Sequence, residues 1–154
     1  DRFTINKEPG DINELIKLAA INLQPLATEK NISIIQNLEP LFSINCDKDL
    51  VQQIILNLIE NAIKYSPRDT DVTVISEEEN DYVVITISDQ GQGINESDQK
   101  LIWQKFSRLD ERTEGTGLGL YLVKYFVEAH HGAVFIKSGK NQGTRIGFKL
   151  PLNA

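Results

Sequence analysis

The residue pattern predicts three main helices packed on one face of a mixed sheet. Two observations lead there: three separated stretches carry apolar residues at helical spacing, and about six short β-like runs interleave with them in mixed order. The 154 residues correspond to one domain, taken here as residues 1–154. With 40% hydrophobic and 25% charged residues, the chain has the balance of a globular protein with a core of its own.

From Asp11 to Glu29, Ile12, Leu15, Ile16, Ala19, Leu23 and Leu26 recur on one helical face, and Asp11 and Glu14 stand as in a capping box behind Pro9-Gly10. Ile32–Gln36 and Leu41–Asn45 read as strands, with Glu39-Pro40 turning between them. A second helix is expected from Asp47 to Tyr65, with Leu50, Val51, Ile54, Ile55, Leu58, Ile59 and Ala62 inward and Ser66-Pro67 as its stop. Strands follow at Asp71–Ser76 and Tyr82–Ser88, joined by a polar turn over Glu77–Asp81. Next come a glycine-rich stretch (Asp89–Gly93), a short helix (Glu96–Phe106) and a charged, glycine-rich segment (Ser107–Gly119). A third helix runs from Leu118 to His130, stopped by Gly132. The strands Ala133–Ser138 and Arg145–Leu150 close the chain as a hairpin. The glycine-rich middle is too long for a plain connection, and long loops in compact domains are usually functional.

Sixteen Lys and Arg against twenty-two Asp and Glu leave a net charge of −6, with no basic cluster. That field repels nucleic acid and anionic lipid, so a polyanionic ligand needs a local constellation. The single cysteine, Cys46, excludes an internal disulfide and reads as a small core side chain at a strand end. No apolar run approaches membrane-spanning length and no signal-peptide pattern occurs. A reducing, cytoplasmic setting is therefore expected. The chain begins at Asp1 and contains no Met, as expected of a piece of a longer protein.

Three segments converge on nucleotide binding. On the second helix, Asn57, Asn61 and Lys64 are spaced i, i+4 and i+7 and share one face. Two amides and an ammonium there suit Mg²⁺ and phosphate, since Mg²⁺ takes few protein ligands and keeps phosphate oxygens and water; solvated polar positions are the plainer alternative. Asp89-Gln90-Gly91-Gln92-Gly93-Ile94 follows a strand. A carboxylate at a strand end accepts from an exocyclic amino group such as adenine N6 and rejects guanine, which presents an acceptor there. Gly91 and Gly93 allow close backbone approach to a base; an ordinary glycine turn is the alternative. Gly115-Thr116-Gly117-Leu118-Gly119-Leu120 leads into the third helix, where glycines let amides and the positive helix end cradle phosphates. No Gly-x-x-x-x-Gly-Lys-Ser/Thr occurs, neither glycine cluster completes Gly-x-Gly-x-x-Gly, and the protein-kinase motif set is absent.

With these segments in this order, the chain resembles the catalytic ATP-binding domain of sensor histidine kinases, in the superfamily shared with DNA gyrase, the heat-shock chaperone ATPase and the mismatch-repair ATPases. Asn57–Ser66 is similar to the family's N box, Asp89–Ile94 to its G1 box, Leu101–Arg108 to its F box and Gly115–Leu120 to its G2 box. The resemblance spans about Ile12 to Pro151. It implies a Bergerat-type α/β sandwich, with a mostly antiparallel mixed sheet covered on one face, that binds ATP and Mg²⁺. By the same resemblance, Asn61 ligates Mg²⁺ with Asn57 assisting, Lys64 contacts phosphate and Tyr65 packs against adenine. Asp89 binds adenine N6 in a pocket shaped by Gly91, Gly93 and Ile94, with the Thr144 hydroxyl supporting Asp89. Phe106 to Gly119 forms a lid that closes over the triphosphate. Within it, Gly115 and Thr116 join the nucleotide site, Gly117, Leu118 and Gly119 offer amides, and Arg108 approaches the γ-phosphate.

In the gyrase-like ATPases the position four before the Mg²⁺-binding Asn is a Glu that activates water. Here it is Asn57, whose amide is no useful general base. Glu60 is expected to be structural or to make an interdomain contact. Slow hydrolysis is therefore expected, leaving the γ-phosphate for another nucleophile. The only histidines, His130 and His131, end a helix and are expected to lie near its carbonyls. The family's phosphoacceptor His belongs to a separate helical dimerisation domain, and no such pattern precedes Asp11. The resemblance thus implies histidine autophosphorylation in two-component signalling, with that helical domain and a response regulator as partners. The intact kinase is expected to be a homodimer, with any membrane anchor in other segments of the parent, and this chain alone a monomer. The rival readings are a hydrolysing ATPase, a serine kinase of the same superfamily, and a non-catalytic sensor module.

Overall fold

A computed structural model describes residues 4–105, 119–139 and 141–152. The elements, in order, are β1 (Glu8–Gly10), α1 (Ile12–Glu29), β2 (Ser33–Leu38), β3 (Ile44–Cys46), α2 (Lys48–Tyr65), β4 (Asp71–Glu79), β5 (Tyr82–Asp89), α3 (Glu96–Gln99), α4 (Gly119–Ala129), β6 (Ala133–Ser138) and β7 (Thr144–Pro151). Five strands form one sheet in the order β2-β4-β5-β7-β6, and β1 pairs with β3 in a separate two-stranded ribbon. Only β2 and β4 run parallel; the other three pairings of the large sheet are antiparallel. The architecture is the expected α/β sandwich with a mixed, mostly antiparallel sheet and three main helices.

Period-two burial decides which sheet face the helices cover. Val72 and Val74 of β4, Val83, Ile85 and Ile87 of β5, and Ile146, Phe148 and Leu150 of β7 are buried. The register puts Val74, Ile87, Ile146 and Ile136 on one rung across four strands. Against this face α2 brings Val51, Ile54, Ile55, Leu58, Ile59, Ala62 and Ile63, all buried. Burying each of its large aliphatic side chains stabilises by roughly 1.5–3 kcal/mol. α1 contributes Ile12, Ile16 and Ala19 to the same core, and α4 contributes Val123 and Val127.

Both long helices start on an aspartate. Asp11 Oδ1 accepts from the Glu14 amide at 3.3 Å and Asp47 Oδ1 from the Leu50 amide at 3.2 Å, caps worth ~1 kcal/mol each. The Glu14 carboxylate pairs with Lys17 at 3.3 Å. Cys46 is fully buried at the end of β3, and burial pushes its thiol up to about 11, so it is an inert core side chain.

Several expected boundaries move. The run at Ile32 becomes β2 at Ser33–Leu38 and the run at Leu41 shrinks to Ile44–Cys46. The two do not pair, because β2 joins the edge of the large sheet beside β4 while β3 pairs with β1. β1 was not expected: it is three residues long with Pro9 in the middle, a sequence that carries no strand signal until a partner is supplied. The β4–β5 turn is tighter than Glu77–Asp81, since Asn80 and Asp81 both take positive φ (50° and 67°) and the strands extend to meet them. α3 stops at Gln99, well short of Phe106. Among its described residues the segment buries a single large side chain, Ile102, instead of an apolar stripe, and four residues are too few to hold a helix by themselves.

The end of α4 is tied to the start of α2 by His130, which is 2% exposed. Its Nδ1 donates to the Phe126 carbonyl at 2.8 Å and its Nε2 accepts from the Asp47 amide at 3.0 Å. A carbonyl can only accept and an amide can only donate, so the proton sits on Nδ1. His131 takes φ 63° just past the helix, as a left-handed C-terminal residue does. His130→Ala is expected to cost about 3 kcal/mol, from the orphaned backbone groups and the void. A urea unfolding curve with a lower midpoint and an unchanged slope is the expected observation.

Candidate functional site

A cavity of about 690 Å³ opens between the C-terminal half of α2, the loop after β5, and the start of α4. Its size lies in the range of small-ligand sites. Of the residues singled out from the sequence, Asn61, Lys64, Tyr65, Asp89, Gly91, Gly93, Ile94 and Thr144 line it. One wall is therefore α2 and the other the end of β5 with its loop. α2 sends its apolar stripe into the core and Asn61, Lys64 and Tyr65 toward the cavity.

Asn57 does not line the cavity. It sits under the start of α4, where a Cβ added to Gly119 would lie 3.5 Å from Asn57 Oδ1. Glu60 is outside the cavity as well and pairs with Lys64 at 3.6 Å, one turn along the helix. Arg108, Gly115, Thr116, Gly117, Leu118 and the expected lid as a whole, apart from Gly119, lie outside the described residues.

Asp89 ends β5 in the cavity. Its Oδ1 accepts from the Gly91 amide at 2.9 Å and the Thr144 amide at 3.2 Å. Its Oδ2 has no hydrogen-bond partner among the described residues. The carboxylate is thus anchored through one oxygen and offers the other. The Thr144 contact differs from expectation: its backbone N–H, not its hydroxyl, reaches Asp89, and the hydroxyl lies 3.0 Å from Ser138 Oγ. The cause is register, since Asp89 and Thr144 are directly paired across β5 and β7 and the amide is the nearer donor.

The glycines of the loop meet protein at close range. A Cβ on Gly91 would stand 2.9 Å from the Tyr65 carbonyl oxygen, and Gly93, at φ 80°, would place one 1.9 Å from the Gly139 carbonyl oxygen. They let the loop press against the end of α2 on one side and the β6–β7 turn on the other. That is a packing requirement which the sequence pattern alone does not distinguish from approach to a base.

Sequence reasoning missed a latch behind this loop. Ser138 Oγ accepts from the Ile94 amide at 2.6 Å, while Gln99 Nε2 donates to the Ile94 carbonyl at 2.8 Å and the Ser138 carbonyl at 3.0 Å. The Asn141 amide donates to the Gln92 carbonyl at 2.6 Å. Ala62, Ser66, Pro67, Asn95, Asp98 and Leu120 also reach the cavity. The only hint in the sequence was a serine beside Gly139 at a strand end. Its partner is 44 residues away, and that pairing has no local signature.

The residues present fit a magnesium nucleotide. Among the described residues no cluster of three or more His, Cys, Asp or Glu could cage a metal. The donors near α2 are neutral amides, which suit an ion whose charge is met by phosphate oxygens and water. The free Asp89 Oδ2 suits an amino-group donor.

The comparisons with known proteins agree with this geometry. Residues 46–154 match the family described as histidine kinase-, DNA gyrase B-, and HSP90-like ATPase, and the chain belongs to that family. It is 34% identical over 150 residues to the sensor histidine kinase TmoS of Ectopseudomonas mendocina, across 94% of this chain and 15% of that protein. It is also 34% identical over 155 residues to the adaptive-response sensory kinase SasA of Synechocystis, across 98% of this chain and 40% of that protein. The chain thus spans less than half the length of either relative. Among solved structures it is similar to full-length ShkA in complex with AMPPNP, with a TM-score of 0.90 and 28% identity over 100% of this chain and 33% of that one. The mycobacterial sensor histidine kinase MprB matches with a TM-score of 0.86 and 27% identity over 96% of this chain and 99% of that one. No described helix is long and apolar enough to cross a membrane.

Two predictions follow from the site's construction. Burial holds the Asp89 carboxyl above its ordinary value, and the hydrogen bonds from Gly91 and Thr144 offset this in part. A carboxyl raised on folding binds its proton more tightly in the folded chain. Its charged form therefore costs stability at neutral pH, and the cost disappears as pH falls through the folded pKa toward about 4. Asp89→Asn keeps the Oδ1 acceptor, so at pH 7 it is expected to melt at a higher temperature than the wild type, with the gap closing as pH drops. Gly93→Ala is expected to destabilise by about 2 kcal/mol or more, because positive φ and the Gly139 carbonyl both exclude a Cβ. Thermal melts read both.

Proposed function

We propose that this chain is the nucleotide-binding catalytic domain, residues 1–154, of a sensor histidine kinase. In this reading it holds ATP with Mg²⁺ and presents the γ-phosphate to a histidine on a helical dimerisation domain elsewhere in the parent protein. A response regulator then receives the phosphoryl group in two-component signalling. The observation that carries the reading is Asp89, set by two backbone amides in the wall of the cavity with one oxygen free for an amino donor.

Each residue has a task that follows from its position. Asp89 Oδ2 accepts from adenine N6 and disfavours guanine, since an acceptor facing this half-buried carboxylate leaves both unpaired. Tyr65, half exposed at the end of α2, packs on the base. Lys64 meets phosphate, and its link to Glu60 holds it near the helix surface until then. Asn61 supplies an amide oxygen to Mg²⁺, and Asn57 assists from beneath α4. Bound Mg²⁺ would supply charge neutralisation for phosphoryl transfer, which otherwise depends on positioning. Gly119 lies at the positive end of α4, where backbone N–H groups favour phosphate; by the family resemblance, Arg108 would approach the γ-phosphate and Gly115 to Leu118 would join the nucleotide site. Asn57 is no general base, so water activation is weak and the γ-phosphate is kept for the histidine.

His130 is not the acceptor in this reading, because both of its ring nitrogens are engaged with the backbone inside the core. His131, exposed just past the end of α4, does not line the cavity either, so in this reading the acceptor comes from another part of the parent. The intact kinase is taken to be a homodimer through that part.

Calorimetric titration with Mg²⁺-ATP is the test. Saturable one-to-one binding followed by a flat baseline is expected, with Asp89→Asn weakening it by about 2 kcal/mol, the worth of a hydrogen bond to a charged group. Asn61→Ala is expected to remove most of the Mg²⁺-dependent part of the affinity while sparing adenosine. Sustained heat from turnover would favour a hydrolysing ATPase instead. Absence of binding by the wild type would point to a sensor module without nucleotide.

A further inference from the structure

Helix α2 carries Asn61, Lys64 and Tyr65 to the cavity, and its last turn leaves carbonyls that need partners. The Ala62 carbonyl takes the Ser66 amide at 3.1 Å and the Ser66 hydroxyl at 2.6 Å. The next carbonyls are met by one side chain from another helix. Lys30, the residue just after α1, donates from Nζ to the carbonyls of Ile63 at 2.9 Å, Lys64 at 3.1 Å and Ser66 at 2.5 Å. Three ammonium donors thus meet three acceptors, and a cation at a helix C-terminus is favoured by the helix dipole. No carboxylate pairs with Lys30 among the described residues; desolvation, and then Arg68, hold its pKa below the usual lysine value. The ammonium is therefore committed to these carbonyls.

The same junction binds the chain beyond α2. The Asp69 amide donates to the Lys30 carbonyl at 3.0 Å, and Asn31 Nδ2 donates to Asp69 Oδ1 at 2.8 Å. Lys64, Tyr65, Ser66 and Pro67 are four consecutive lining residues of the cavity. The Tyr65 carbonyl faces Gly91 so closely that no Cβ fits between them. Displacing the end of α2 would therefore alter both walls at the Asp89 end of the cavity.

We propose that Lys30, which does not itself line the cavity, is a positioning residue for nucleotide binding: by gathering the carbonyls of Ile63, Lys64 and Ser66, on either side of Tyr65, it holds Tyr65 and the facing Gly91 loop at the spacing the base requires. This rests on the nucleotide-binding reading above. The side chain acts only through α2, so its effect belongs to the base end and is shared by every adenine nucleotide.

The test is calorimetry of Mg²⁺-ATP and Mg²⁺-ADP binding to the wild type, Lys30→Met and Lys30→Arg, at a temperature where all are folded. Lys30→Met is expected to weaken both nucleotides by the same factor, about tenfold, the size of one lost or misaligned polar contact. Lys30→Arg keeps charge and donors and is expected to recover most of that loss. Asn13→Ala serves as a control for destabilisation alone. It breaks the Ser76–Asn13–Glu39 link away from the cavity and is expected to lower the melting temperature without changing either affinity. If Lys30→Met does not fold, Lys30→Gln, which retains part of the donor set, is expected to show a smaller loss of the same kind. Wild-type binding with Lys30→Met within about twofold, below the effect of one polar contact, overturns the proposal alone. A loss confined to ATP overturns the base-end assignment. No binding by the wild type overturns the nucleotide reading, and this proposal with it.

Discussion

Helix α2 has to satisfy two surfaces at once. Seven apolar side chains on one stripe are buried against the sheet and the flanking helices, while Asn61, Lys64 and Tyr65 face the cavity. Because packed cores are dense, the rotation and depth of the helix are set by the buried stripe, and the polar stripe follows. The site is therefore as well defined as the core beneath it. This coupling also explains why both ends of α2 are held by more than local caps. At the start, Asp47 receives the Leu50 and Asn6 amides and gives its own amide to His130. At the other end, Lys30 gathers the final carbonyls. Residues just past the ends of α1 and α4 thus help to fix the helix that carries the chemistry.

The opposite wall is built by a different device. Asp89 sits at a strand end, so its backbone is set by the β5–β7 register and its side chain by two amides. The loop that follows cannot draw on regular hydrogen bonding and is held from behind by Ser138, Gln99 and the β6–β7 turn. Gly93 and Gly143 make that contact possible at positive φ, with the neighbouring backbone too close for a side chain. One wall is thus rigid through hydrophobic packing and the other through polar contacts. A polar latch is satisfied only as a set, so the loop tolerates little change in any one member.

Desolvating Asp89 works against stability, which two backbone amides only partly offset. A folded protein that keeps an incompletely paired carboxylate in a cavity has sacrificed some stability, and binding sites are where such sacrifices gather. The free oxygen that results is the feature from which a preference for an amino-bearing base derives. The chain's membership of an ATPase family is consistent with that chemistry.

Much of this was legible in the sequence, for reasons that can be named. Helical periodicity, aspartate caps and strand alternation are local signals, and they placed α1, α2, β4, β5, β6 and β7 within a few residues. Asn61, Lys64 and Asp89 could be singled out because residue type and spacing already imply a shared face or a strand end, and Tyr65 through the family resemblance. Local pattern has no access to contacts made across the fold. It could not show that β2 runs parallel beside β4, that Pro9 enters a strand, or that the described residues after α3 bury Ile102 alone. It assigned support of Asp89 to the Thr144 hydroxyl where register supplies the amide, and it did not separate Asn57, beneath α4, from Asn61, in the cavity wall. It was silent on Lys30 and on the contact of Ser138 with Ile94, each made with a partner more than thirty residues away. Chemistry-bearing residues were determined by the sequence because their identities are local. How they are held was decided by the tertiary structure, because a hydrogen bond between distant segments depends on geometry that exists only once the core has packed.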